Sequence, residues 1–275
     1  MRRLFALVAV IAGFTRVAAA QGVLVAPHAL YIDHRTRSGS LTLYNPGADP
    51  VEITVSTFFG YPSTDSLGQF TIVTPDSVEA GMPSAAAWID AFPRRMTLAP
   101  LQRQTVRLLA RPPQGLADGE YWSRILISAK GGVVQVAQKD SSGIAVGLNL
   151  EVRSILPLIY RKGQLQTGMV LTALRAAKEG DSLRVRVHME RQGGAAYVGT
   201  AKGVLLDQQG NQVSKFEQPI AVYYTAEPAF MISLAGHTSG RYRLRLELST
   251  ERTDIAPELL LRAPATRDSI DVTLP

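Results

Sequence analysis

The chain has 275 residues, 46% of them hydrophobic, with 29 basic and 23 acidic side chains and no cysteine. Such a length suffices for two modest cores. Without cysteine there is no disulfide framework, no lipid-modified cysteine anchor and no thiolate metal site, so folding must rest on apolar burial.

The first twenty residues have a basic start (Arg2, Arg3), an apolar run from Leu4 to Phe14 and an Ala18-Ala19-Ala20 ending. This is the pattern of a secretory signal peptide, residues 1–20, cleaved before Gln21. Cleavage removes Arg2, Arg3 and Arg16, taking 29 basic residues to 26 against 23 acidic ones, a net charge of +3. So mild a charge gives no reason to expect nucleic-acid binding. No other window reaches ~18 apolar residues, and the mature protein is expected to be soluble.

Beyond Gln21, helix signals are scarce and short alternating runs separated by Gly, Pro, Asn and Asp dominate. Strands are expected at Val23 to Ile32, Ser40 to Tyr44 and Val51 to Phe59, with a turn at Asn45 to Pro50. A polar excursion through Pro62, Asp65, Gly68 and Pro75 follows. Further strands are expected at Trp88 to Phe92, Gln104 to Ala110 and Tyr121 to Ser128. Then comes a run in which Ile144, Val146, Leu148, Leu150 and Val152 alternate with Ala145, Gly147, Asn149 and Glu151. Period-2 alternation marks a strand with one apolar face. From Ile144 to Leu156, where Pro157 is expected to interrupt it, the run spans ~43 Å at about 3.3 Å per residue, against ~17–20 Å for an ordinary strand. One sandwich face cannot use that length. An apolar edge left alone is also an aggregation hazard.

A polar hinge at Arg161 to Gln164 closes the first unit, residues 21–163, and the same grammar restarts. Leu183, Val185, Val187 and Met189 alternate with polar neighbours, as do Tyr242, Leu244, Leu246 and Leu248. Between them Gln208-Gln209-Gly210-Asn211 reads as a hairpin turn, and Leu171 to Lys178 reads as a short helical turn. The fold expected is all-β, two immunoglobulin-like β-sandwich domains in tandem, the second covering residues 164–275.

Catalytic signals are absent. His28, His34, His188 and His237 have no ligand spacing, and there is no Gly-x-Ser-x-Gly elbow and no phosphate-cradling glycine loop. Neither a metal, a cofactor nor an enzymatic activity is expected. Trp88 and Trp122 read as core or interface aromatics.

Four stretches, Ser38 to Gly47 (SGSLTLYNPG), Phe92 to Leu109 (FPRRMTLAPLQRQTVRLL), Leu116 to Ser128 (LADGEYWSRILIS) and Leu156 to Gly163 (LPLIYRKG), occur in an order that resembles the periplasmic pilus-assembly chaperones of the chaperone/usher system. The resemblance implies that the long run lends its apolar residues to an incomplete pilus or surface-fibre subunit, which an outer-membrane usher then receives. Leu148, Leu150 and Val152 would lie on the donor face, with Ile144 and Val146 extending it; the other reading is a strand burying its own domain's side chains. A self-capping homodimer through the same strand stays open, as does a secreted two-domain β-sandwich structural or adhesive protein without chaperone activity. The resemblance also implies an ionic network of Glu120 and Arg161 behind the hinge.

One departure stands out. The basic pair that grips a subunit's C-terminal carboxylate in the best-known members aligns to Ala29 and Pro157, and the Leu156 to Arg161 stretch looks like an archaic-type branch. Arg124, on a neighbouring strand, is the candidate substitute, since a guanidinium can hold a carboxylate by two parallel hydrogen bonds. The competing reading is a solvated arginine on the outer sheet face.

Overall fold

The structure, a computed structural model, describes residues 22–135, 147–234, 236 and 239–274, with side chains described up to residue 131 and again from residue 150 around the first gap. The segment expected to be a signal peptide, residues 1–20, and Ile144, Val146 and His237 lie outside these residues.

Nineteen strands are described. The first eleven are β1 (Leu24–Ala26), β2 (Leu30–Asp33), β3 (Ser38–Tyr44), β4 (Val51–Phe58), β5 (Tyr61–Thr64), β6 (Phe70–Val73), β7 (Ile89–Phe92), β8 (Arg95–Leu98), β9 (Arg103–Ala110), β10 (Gly119–Gln135) and β11 (Gly147–Lys162). The rest are β12 (Thr167–Glu179), β13 (Ser182–Gly193), β14 (Tyr197–Leu206), β15 (Gln212–Val222), β16 (Thr225–Ala226), β17 (Ala229–Ser233), β18 (Gly240–Ser249) and β19 (Thr266–Leu274).

They build two sandwiches. The first faces sheet β1-β3-β9-β7 against sheet β2-β11-β10-β4-β8, with the β5-β6 hairpin set apart. Its core includes Leu41, Leu43, Ile53, Val106, Leu108, Ile125, Ile127 and Leu158. In the second, β15-β14-β18-β19 faces β12-β13-β16, with β17 also on β13. Inward residues of β13 and β18, Leu183, Val185, Val187, Leu244, Leu246 and Leu248, fill it. The all-β, two-sandwich immunoglobulin-like expectation therefore holds.

Four local expectations need correction. The single strand at Val23 to Ile32 is two strands in different sheets: β1 pairs antiparallel with β3, whereas β2 pairs parallel with β11. Pro27 stands between them, where a residue without an N–H interrupts no ladder. The polar excursion contains the β5-β6 hairpin, turned by Asp65, whose Oδ1 accepts the N–H groups of Leu67 (2.9 Å) and Gln69 (2.8 Å).

The stretch from Leu171 to Lys178 is strand. A bulge between Thr172 and Arg175, with Ala173 at φ 53, shifts parity, so that Met169 and Leu171 before it and Leu174 and Ala176 after it all meet the core. The resulting Leu171–Leu174 spacing imitates a helix face.

Finally, Pro157 does not end its strand. β11 continues to Lys162, and β2 joins its second edge only at Leu158. Pro157 lies one residue before that pairing, at a position where the second edge has no ladder to lose.

Along β11 the even-numbered side chains pass from core to solvent. Tyr160 and Leu158 are 0% exposed, Leu156 is 7%, Val152 is half-buried and Leu150 is 43% exposed. Leu158→Ala should therefore cost about 2–5 kcal/mol in urea unfolding. Leu150→Ala, on the same face, should change stability by no more than about 0.5 kcal/mol.

Candidate functional site

The β10-β11 ladder runs from Gly119–Lys162 to Gln135–Gly147, interrupted once by a register shift between Lys130 and Val133. Its two faces differ. One carries the core residues Ile125, Ile127, Leu156 and Leu158. The other carries, from the hinge outward, the pairs Glu120–Arg161, Trp122–Ile159, Arg124–Pro157, Leu126–Ile155 and Ser128–Arg153.

At the hinge, Arg161 Nε donates to Glu120 Oε2 at 2.8 Å. Glu120 Oε1 accepts from Trp122 Nε1 and from the Ala196 backbone N–H, each at 2.9 Å. Arg161 Nη1 donates to the Leu259 carbonyl, and its guanidinium lies 4.8 Å from the Tyr31 ring centroid. The carboxylate is fully buried, and its charge is tolerated because the ionic partner and two N–H donors surround it. The second sandwich contributes main-chain atoms, Ala196 N and Leu259 O, and no side-chain pattern marks such groups in advance. Burial raises the Tyr31 hydroxyl above its ordinary value, with the Arg161 charge opposing it.

Next to this pair lies an aromatic seam between the sandwiches. Trp122 meets Tyr223 at 4.6 Å and Tyr224 at 5.1 Å between centroids, and Tyr61 meets Tyr224 at 4.9 Å. Trp88 instead packs inside the first sandwich, 4.8 Å from Tyr160.

Arg124 occupies the following position and is only 6% exposed. Its face of the sheet is covered by the second sandwich, so the arginine is not solvated as on an open outer face. Nε donates to the Gly60 carbonyl at 3.1 Å, and the guanidinium sits 5.4 Å from the Tyr223 ring centroid. Among the described residues no carboxylate pairs with it. Tyr223 has its hydroxyl raised by burial, with the positive charge of Arg124 opposing. Arg124 stands directly opposite Pro157 in the ladder, and Ala29, like Pro157, is one residue ahead of the Leu30–Leu158 pair.

Outward from Arg124 the surface becomes apolar at Leu126 and Ile155, the latter 45% exposed. From Gly147 to Pro157, ~36 Å at about 3.3 Å per residue, no described strand pairs the second edge of β11. Leu148 pairs with Val134 in the backbone ladder. Leu150 and Val152 point to the side that the core has left, with Gly22 beside Val152. On the opposite face Glu151 is held down to about 2 by hydrogen bonds from Arg153 and Ser128.

The chain is similar in fold to several solved chaperone structures. The CupB2 chaperone of Pseudomonas aeruginosa is matched over 91% of this chain and 100% of that one, at 15% identity and a TM-score of 0.41. The Salmonella enterica SafA pilin–SafB chaperone complex is matched over 90% and 96%, at 13% and 0.42. A chain of the Acinetobacter baumannii CsuC–CsuE chaperone–tip adhesion subunit pre-assembly complex, from archaic chaperone-usher Csu pili, is matched over 76% and 89%, at 12% and 0.40. No family model and no curated protein matches. Likeness at this level assigns no residue, and the geometry of the β10-β11 ladder carries the site.

Among the described residues no group of three or more His, Asp or Glu side chains is placed to hold a metal ion. His34 bonds the Tyr160 hydroxyl, His188 bonds Glu227 at 3.1 Å, and His28 is exposed.

Glu120→Ala would strand Arg161, Trp122 Nε1 and Ala196 N together, and should cost about 3–5 kcal/mol. Glu120→Gln keeps an acceptor for the two N–H groups and should cost less. Chemical unfolding of the two variants checks the order.

Proposed function

We propose that this chain is a periplasmic chaperone that binds pilus or surface-fibre subunits by lending them β11 as a missing strand, and that it passes them to an outer-membrane usher. The observation that carries the reading is the run of β11 whose apolar face continues past its own core while no described strand pairs its second edge. A strand exposed in this way supplies backbone hydrogen bonds along its edge and side-chain knobs at every second residue, the two things an incomplete sandwich lacks. Leu150 and Val152 are the knobs, and the sequence carries the same alternation back through Leu148, Val146 and Ile144. The free energy comes from subunit folding and strand exchange, so the step needs no nucleotide. Glu120 and Arg161 act behind it, holding the two sandwiches together.

Arg124 is the anchor for the subunit's C-terminal carboxylate. Ala29 and Pro157 carry no charge, and the cation one strand over, facing Pro157, takes their place. Burial makes the position costly for an unpaired charge, so a carboxylate arriving there offsets that cost. Low local polarity strengthens the ion pair that forms. From the anchor, the subunit's strand would run along the open β11 edge past Ile155. A second copy of this chain on the same edge is the competing occupant, and it would appear as a dimer that subunits displace.

Co-expression with β-rich secreted subunits in a periplasm, followed by affinity purification, tests this. Leu150→Asp should abolish subunit capture while the isolated variant still melts cooperatively near the parent temperature. Loss of the folded state would show that Leu150 serves its own core. In the same assay Arg124→Ala should weaken binding by about 1.5–3 kcal/mol, with Arg124→Lys recovering part. Amidating the subunit's C-terminus should shrink the alanine effect. Unchanged affinity in Arg124→Ala would remove the anchor.

A further inference from the structure

The β5-β6 hairpin belongs to the first sandwich by sequence and ends on the second. Its turn, closed by Asp65, presents the backbone of Ser66, Leu67 and Gly68 to β13 and β17. Ala229 N donates to the Gly68 carbonyl at 2.9 Å, and Glu227 N donates to Thr64 Oγ1 at 2.8 Å. Arg184 Nη1 donates to the Leu67 carbonyl and Arg186 Nη2 to the Ser66 carbonyl, each at 3.3 Å. Phe70 packs against the core of the second sandwich. Gly68 is buried at φ 81, and a Cβ there would stand 2.6 Å from Ala229 N and 2.7 Å from its Cβ. Only glycine permits both that backbone conformation and that approach.

We propose that this hairpin is a strap that fixes the angle between the two sandwiches. The covalent connection at residues 163–166 is one attachment, reinforced where Gly194 N donates to the Gln166 carbonyl at 3.0 Å. The strap grips the same strand, β13, at its other end. From Arg184 to Gly193 is ~30 Å at about 3.3 Å per residue. Two rigid bodies tied at one point rotate freely, whereas ties ~30 Å apart along one strand leave only rotation about the line joining them. Trp122, Tyr223 and Tyr224 fill the seam off that line and oppose the remaining rotation. The strap thereby keeps the spacing between Arg124 on one sandwich and Tyr223 on the other. It stands on these contacts whether or not the chain binds a subunit.

Since the chain has no cysteine, the pair Thr97→Cys and Gln218→Cys carries one spin label on each sandwich, and pulsed electron paramagnetic resonance reads the distance between them. The parent should give one narrow distribution. Gly68→Val, which puts a β-branched side chain at positive φ against Ala229, should broaden it at least about twofold. Thr64→Val keeps the shape and removes the acceptor; it should broaden the distribution by a smaller factor, and it decides the matter if Gly68→Val does not fold. A label pair within the first sandwich, Thr97→Cys with Arg107→Cys, should keep its width throughout. Broadening of the inter-sandwich distance in either folded variant supports the strap. An unchanged width in every variant that folds overturns it.

Discussion

The register between β10 and β11 is the constraint on which the rest depends. Once Ile125 is opposite Leu156 and Arg124 is opposite Pro157, two faces are fixed together. Inward residues close the first core, and outward residues form the wall on which the second sandwich rests. A one-residue slip would turn Arg124 into the core and Ile125 out of it. The buried bonds of Glu120 reinforce this register, because its carboxylate joins β10 to β11 through Arg161 and to the second sandwich through Ala196.

Two costly features follow from that register and lie close together. One is a buried arginine with no carboxylate partner among the described residues; the other is an apolar strand face whose second edge no described strand pairs. Each would be disfavoured in a protein that worked alone, since an unpaired charge is expensive to bury and an unpaired edge invites association. Under the function proposed above, a single extended partner would remove both at once, its terminal carboxylate meeting Arg124 and its backbone and side-chain pockets meeting β11. The interface between the sandwiches is built for stiffness by comparison, with main-chain acceptors, tilted and edge-on aromatics and a glycine contact that tolerates no side chain.

Much of this was legible in the chain itself. The alternation at Leu150 and Val152 and the all-β, two-sandwich grammar are properties of local pattern, and local pattern is what a sequence displays. Pro157 misled because a proline is read as a break, whereas its neighbour strand begins one residue later. The bulge at Ala173 misled because a parity shift in a strand reproduces the spacing of a helix turn. What escaped entirely comes from the meeting of distant segments. The burial of Arg124 depends on Tyr223, the acceptor for Arg161 is the carbonyl of Leu259, and the partner of Gly68 is Ala229. None of these has a local signature, since a main-chain atom or a single tyrosine looks the same in any loop.

The open edge of β11 is the central claim, and amide hydrogen exchange reads it directly. In the isolated monomer, the amides of residues 147–157 that face away from β10 should exchange as fast as those of exposed turns, while amides in the Tyr121 to Ile127 ladder stay protected. Adding a purified subunit should slow the first set to the rate of the second. Full protection of residues 147–157 in the isolated monomer would mean that the chain covers this edge itself, and would contradict the account.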